Sequence, residues 1–198
     1  MRSIYVALIR HAPTAWNAEG RVLGQADPPL SPEGAARAAR WQLPADLQAL
    51  AARGQLGWAA SPLRRAVETA RLLGAITPVV EPRLAEQDWG EWTGRARALV
   101  AGQTTGAGWQ ETPPGGESPA GVLARVRAWL DELAPGDGPD TWAVVTHMGV
   151  IRAVIAAALR WDLGPPPPVR LLPERVHRVR RRGDGLLQLV GLNEPLEP

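Results

Sequence analysis

An arginine and a histidine stand together where an apolar run stops. The run that begins at Ile4 ends in Arg10-His11-Ala12-Pro13-Thr14, which places a charged fork and an imidazole where a buried strand emerges into a loop. In open α/β sheets that is where ligands bind. Taken alone the pair is a strand cap and a loop histidine, but two more apolar runs end in the same manner. Leu56 to Ala60 runs into Ser61-Pro62-Leu63-Arg64-Arg65, and Thr141 to Thr146 runs into His147. If the three strands lie side by side and parallel, one rim holds two histidines and two or three arginines. Such a rim attracts an anion, and guanidinium forks match phosphate oxygens in geometry as well as charge. Arg64 and Arg65 fall in the first turn of a helix, where each cation opposes the helix dipole at a cost of about 0.3–1 kcal/mol. A bound anion would offset that cost.

The elements that must position these residues follow from caps and periodicity. Ser31-Pro32-Glu33 is a helix start, with Ser as N-cap, Pro at the first helical position and an acid in the first turn. It predicts an Ala/Arg helix that breaks near Pro44 and resumes to about Ala52. Ser61-Pro62 reads as a second start of the same kind. Pro78 to Val80 is a short extended piece, and Leu84 to Gly94 is an irregular, acid- and Trp-rich wall. Gly102 to Pro119, dense in Gly, Pro and Thr, is a long loop of the length often found in lids and binding loops. Val122, Val126, Trp129, Leu130 and Leu133 share one helical face. Pro135 to Asp140 reads as a turn, Val150 to Leu159 as an apolar helix, and Pro165 to Pro168 as a stiff connector. It leads to a hairpin, Val176 to Arg181 and Leu186 to Leu192, turned at Gly183-Asp184-Gly185. The expected fold is α/β, a three-layer sandwich with a mostly parallel central sheet flanked by helices, forming a single domain over residues 1–198.

Composition narrows the chemistry. With no Cys among 198 residues, disulfides, thiolate metal sites and cysteine nucleophiles are excluded. There is no Lys, so the 22 basic residues are all Arg, against 20 acidic ones, for a formal net charge of +2. The pI of 10.2 therefore reflects the high pKa of Arg more than an excess of positive charge, and no nucleic-acid partner is expected. The basic run Arg175 to Arg182 alternates as a strand with one solvated face. Three His and no Asp-x-Asp pair argue against a metal cluster or an aspartyl-phosphate mechanism. The first apolar run is too short for a signal peptide and no segment approaches membrane-spanning length, so the cytoplasm is the expected compartment and no membrane partner is expected. A sheet edge or an apolar helix face offers a route to a homodimer.

In their order along the chain these residues resemble the histidine phosphatase superfamily, the phosphoglycerate mutase-like proteins. Arg10-His11, with Thr14 and Asn17 after it, is similar to the Arg-His-Gly signature. Ser61 to Ala70 is similar to the second motif, in which the Arg before Ala, here Arg65, contacts phosphate. Leu84-Ala85-Glu86 followed by Gly90 and Gly94 resembles the proton-donor segment, Pro114 to Ser118 resembles a family loop, and Val145 to Arg152 resembles the second-histidine motif. Three positions depart from the pattern. Ala12 and Met148 stand where glycines are usual, and Leu23 stands where many members have Gln. The side chains of Ala12 and Met148 are expected to narrow the pocket or alter the backbone's approach to phosphate.

The resemblance implies a metal-independent phosphomonoesterase with no cofactor, acting on a small phosphorylated metabolite and releasing inorganic phosphate. His11 would attack phosphorus and form a phosphohistidine; Arg10, Arg65, His147, Asn17 and Met148 would bind the phosphoryl group or the substrate. Glu86 would protonate the leaving oxygen and then activate water, a task open also to Asp88 or Glu91. Glu117 either caps the following helix or meets substrate. Arg64 is expected at the surface or ion-paired, and Arg152 and His177 as structural. Trp89, Trp92 and Trp109 either join the core or shape the pocket. An α-ribazole 5′-phosphate or similar ester is one candidate substrate. Phosphoglycerate mutase-type transfer and a phosphate-binding module without turnover are the alternatives.

Overall fold

A computed structural model of the chain describes residues 2–133 and 138–196. In chain order the elements are β1 (Ile4–Arg10), α1 (Ala15–Ala18), α2 (Pro32–Ala38), α3 (Ala45–Ala52), β2 (Leu56–Ala60), α4 (Arg64–Leu72), β3 (Val79–Val80), α5 (Arg97–Ala101), α6 (Pro119–Leu133), β4 (Thr141–Thr146), α7 (Met148–Leu159), β5 (Arg175–Arg181) and β6 (Leu187–Pro195). Short 3-10 turns punctuate the wall and the long loop at Pro82–Leu84, Gly90–Trp92 and Gly108–Gln110.

The six strands form one sheet in the order β3-β2-β4-β1-β5-β6, parallel from β3 to β1 and antiparallel through the C-terminal hairpin. Strands covered on both faces read as nearly continuous apolar runs, and alternate residues then belong to opposite layers. Ile4, Val6 and Leu8 of β1, with Trp142 and Val144 of β4, pack against Val122, Val126 and Leu130 of α6 and Val150, Val154 and Ile155 of α7. Ala7, Ile9, Ala143 and Val145 point the other way, against Leu47 of α3 and Ala66 and Ala70 of α4. The result is the three-layer arrangement expected. Gly57 is needed on β2 because a Cβ there would meet the ring of Trp142, its partner in register.

Several boundaries differ from the sequence reading. Helix α2 is capped by Ser31 as expected but stops at Ala38, short of Pro44, because the chain turns there to bury Trp41. Ser61 is not a helix cap: α4 starts at Arg64, and the N-cap position falls on Leu63, whose side chain makes no capping bond. Of the turn expected over Pro135 to Asp140, residues 135–137 lie outside the described residues. The basic run is a paired strand face, with Arg178 bound to Asp46 and Glu194, Arg181 to Asp131, and Arg180 over the Tyr5 ring. Among the described residues no helix is long and apolar enough to cross a membrane.

Candidate active site

Parallel pairing brings the three strand ends together. Arg10 pairs with Thr146 and Ala60 with Val145, and the residues that follow continue the ladder: the His11 amide donates to the Thr146 carbonyl at 2.9 Å, and the Ser61 amide donates to the Val145 carbonyl at 3.0 Å. His11, Ser61 and His147 therefore leave the sheet as neighbours, and the two imidazole centroids are 5.1 Å apart.

The bonds around His11 define its tautomer. Nδ1 lies 2.7 Å from the Ala12 carbonyl, which can only accept, and Nε2 lies 3.3 Å from Arg65 Nε, which can only donate. The proton is thus on Nδ1 and Nε2 carries a lone pair. Burial first, then the charges of Arg10 and Arg65, hold His11 well below the ordinary histidine range, so the ring stays neutral. The Ala12 amide donates to Thr69 Oγ1 at 2.9 Å, and that hydroxyl donates to the Arg65 carbonyl at 2.7 Å, tying the loop to α4. The Ala12 methyl is fully buried in the core beneath the sheet and does not enter the pocket, so it does not narrow it.

Arg65 has no exposed surface, and its guanidinium is aimed by carbonyls: Nη1 donates to Ala26 at 2.7 Å and Nη2 to Gly24 at 3.0 Å. Burial lowers it to about 10. Arg10 is lowered by burial as well, and its Nε is buried without a partner. His147 is buried next to them, with Nε2 2.7 Å from Ser61 Oγ and Nδ1 unpartnered. Burial and the neighbouring positive groups keep it neutral too. Glu86, part-buried in the pocket wall, accepts from the amides of Gln87 at 2.9 Å and Gly149 at 3.3 Å. Loss of water nevertheless raises its carboxyl above the ordinary value, against those two amides and the pull of Arg65 and Arg10. A Cβ at Gly149 would collide with this carboxylate.

A cavity of about 420 Å³ opens over these groups, lined by Arg10, His11, Glu86 and Met148 among others. That is within the range of small-molecule sites and far more than one phosphoryl group needs. Arg65 and His147 adjoin it from the buried side. Asn17 sits apart from the lining: its Oδ1 accepts from the Thr14 amide and hydroxyl in a capping box, which leaves only its Nδ2 donors for an anion. The rival acids are placed elsewhere, Asp88 accepting from the Gly90 amide and Glu91 exposed to solvent. Glu117 neither caps a helix nor lines the pocket. It pairs with Arg125, whose Nη1 and Nη2 donate to the carbonyls of Arg83 and Glu86, so the pair braces the Glu86 segment. Trp89 lines the cavity, whereas Trp92 is buried in a small separate core and Trp109 packs on the main one. Arg64 pairs with Glu68.

Arg152 corrects the sequence reading, since it lines the pocket with its guanidinium 5.2 Å over the Trp161 ring. The signal was available: Arg152 is four residues after Met148, one helical turn along the same face. Arg97, Trp161, Leu163, Pro165 and Pro167 also line the cavity, and these come from loops and helix ends with no local pattern. Among the described residues no group of three or more His, Cys, Asp or Glu side chains could hold a metal ion.

Comparison with known proteins identifies the family. The model of the histidine phosphatase superfamily (branch 1) matches residues 6–195. Glucosyl-3-phosphoglycerate phosphatase of Mycobacterium tuberculosis is 36% identical over 177 residues, spanning 81% of this chain and 77% of that protein. The native structure of mycobacterial glucosyl-3-phosphoglycerate phosphatase superposes with a TM-score of 0.76 at 28% identity, over 98% of this chain and 100% of that one. An Escherichia coli protein proposed to be an α-ribazole-5′-P phosphatase has a TM-score of 0.74 at 23% identity over 98% of both chains, a likeness of fold alone.

Proposed function

This chain belongs to the histidine phosphatase superfamily and is a phosphomonoesterase, and on that footing we propose that His11 is its nucleophile and Glu86 its proton donor. The observation that carries the reading is the bare, neutral Nε2 of His11, held between a fixed Nδ1–H bond and Arg65, in one cavity with a carboxyl raised by burial. The Nε2 lone pair attacks phosphorus in line and the ester P–O bond breaks, its electron pair leaving with the alcohol oxygen. That oxygen takes the proton of Glu86. Arg10, Arg65, His147 and the Asn17 amide donate to the equatorial oxygens, where charge builds up, while the Ala12 carbonyl keeps its bond from Nδ1–H as the ring becomes positive. In the second half the Glu86 carboxylate takes a proton from water, whose oxygen attacks phosphorus. The N–P bond returns its pair to Nε2, and inorganic phosphate leaves.

The substrate is a small phosphorylated metabolite whose leaving group fills the remaining cavity. The relatives make glucosyl-3-phosphoglycerate the first candidate, and the motif resemblance keeps α-ribazole 5′-phosphate as the second. Phosphate release in excess chelator, with wild type, His11→Ala and Glu86→Gln against a panel containing both esters, tests the reading. Chelator-resistant release, lost with His11→Ala and accompanied by an acid-labile phosphoenzyme in wild type, is expected. Release that survives His11→Ala would overturn the assignment, and conversion of 3-phosphoglycerate to its isomer faster than release would favour a mutase.

A further inference from the structure

Three guanidinium groups line the cavity, one more pair than the chemistry at His11 uses. Arg10 serves the phosphoryl group, whereas Arg97, in the first position of α5, and Arg152, in the second turn of α7, line the same space and are more exposed than Arg10. A phosphomonoester brings about −1.5 to −2 charges at neutral pH. Arg10 and Arg65 already meet that, since both histidines are neutral, so Arg97 and Arg152 are surplus to one phosphoryl group.

The chain does not use that surplus internally. Neither Arg97 nor Arg152 has an acidic partner among the ion pairs of the described residues. Glu111, an acid in the same lining, is folded back onto the amides of Thr105 and Ala107 and the Thr105 hydroxyl, which satisfy its oxygens. The Arg152 Cζ lies 5.2 Å over the Trp161 ring, a cation–π contact that holds the charge beside the cavity and consumes none of the N–H donors a carboxylate or phosphate would take. Arg97 also repels Arg10, a repulsion that a bound anion offsets. Between the charged groups the walls are apolar, with Leu23, Trp89, Pro113, Leu163 and Pro167.

We propose that Arg152, with Arg97, forms a second anion subsite, so that the natural substrate is a phosphomonoester whose leaving group carries another anionic group, a carboxylate or a phosphate. This rests on the phosphatase reading for its biological meaning, but binding tests it separately. Two matched pairs isolate the second anion: 3-phosphoglycerate against glycerol 3-phosphate for a carboxylate, and fructose 1,6-bisphosphate against fructose 6-phosphate for a phosphate. A charge-assisted bond of the usual strength predicts about 10- to 100-fold tighter binding of the member that carries the second anion in one pair. Calorimetry on His11→Ala protein reads binding without turnover, and kcat/KM on the wild type reads the same ratio in catalysis. The favoured pair identifies the group. Arg152→Gln is expected to collapse that ratio toward one, and Arg97→Gln to reduce it. Equal binding within both pairs, no binding of any ester, or a ratio that Arg152→Gln leaves intact would each overturn the subsite. Binding ratios as expected, with no phosphate released from any ester by wild type, would sink the phosphatase reading while leaving the subsite standing.

Discussion

Arg65 Nε donates to His11 Nε2 at 3.3 Å, and because an arginine has no acceptor this contact marks the imidazole lone pair. The same guanidinium is clamped through Nη1 and Nη2 to the carbonyls of Ala26 and Gly24, so its orientation is set before any ligand arrives. A phosphoryl group seated against the His11 lone pair brings one of its oxygens to the same fixed Nε–H. A lysine at this position keeps a charge but loses the planar fork. Arg65→Lys is therefore expected to lower kcat by about 10²–10³-fold, the usual loss for one preorganised donor to a developing oxyanion. Steady-state kinetics alongside a melting curve checks this, and an unchanged kcat in folded protein would remove Arg65 from the reaction.

The pH profile follows from two opposite shifts. His11 sits well below its ordinary range, so the free enzyme keeps its lone pair at pH values where an ordinary histidine is protonated. Glu86 sits above its ordinary range, so it keeps its proton at pH values where an ordinary carboxyl has lost it. Activity in kcat/KM should then hold on the acid side of the ordinary histidine pKa of about 6.5 and fall as pH rises through the Glu86 pKa. Glu86→Gln should abolish the alkaline limb. It should also slow phosphorylation by an alkyl ester far more than by 4-nitrophenyl phosphate, whose phenolate leaves without a proton donor. Equal slowing of both esters would mean that Glu86 is not the acid.

The strand ends were legible because each carries its own signal: apolar runs ending in Arg10-His11, Ser61 and His147 had to meet once their strands paired in parallel. Long-range partners were not. That Glu117 braces the Glu86 segment through Arg125, rather than capping a helix, depends on the crossing of α6 over that segment, which no local spacing reports. Ser61 looked like a cap because Ser-Pro precedes many helices, yet its hydroxyl is taken by a histidine 86 residues away. Most of the pocket wall comes from loops, where apolar residues such as Leu163 and Pro167 carry no periodicity.

Ser61 and His147 yield a tautomer. The Leu63 amide donates to Ser61 Oγ at 3.3 Å, and the fully buried hydroxyl then needs an acceptor, which His147 Nε2 supplies at 2.7 Å. The His147 proton is thereby placed on Nδ1, the buried atom with no protein partner, ready to donate to a phosphoryl oxygen. Nitrogen-15 spectra of the three histidines should show His147 as the Nδ1–H form in wild type. Ser61→Ala should release that preference and lower kcat/KM by about 10- to 100-fold, within the range for one lost or misdirected donor. An Nε2–H form in the wild type would refute the assignment.

Gly149 separates activity from stability. It lies in the first turn of α7, where alanine is favoured over glycine by about 1 kcal/mol in the helix interior, and its φ is not in the left-handed region. Its amide holds Glu86 Oε2 at 3.3 Å, and a methyl group there would collide with Oε1 of the same carboxylate. Gly149→Ala should therefore leave the melting temperature equal or slightly higher while displacing the proton donor. Misplacement of a reacting group by about 1 Å costs up to 10²-fold, so kcat for an alkyl phosphomonoester should fall by roughly 10- to 100-fold. The loss should be much smaller with 4-nitrophenyl phosphate, for which the donor matters least. A fall in both melting temperature and activity on every ester would instead mean that the methyl disrupts α7, and would leave the carboxylate contact without catalytic weight.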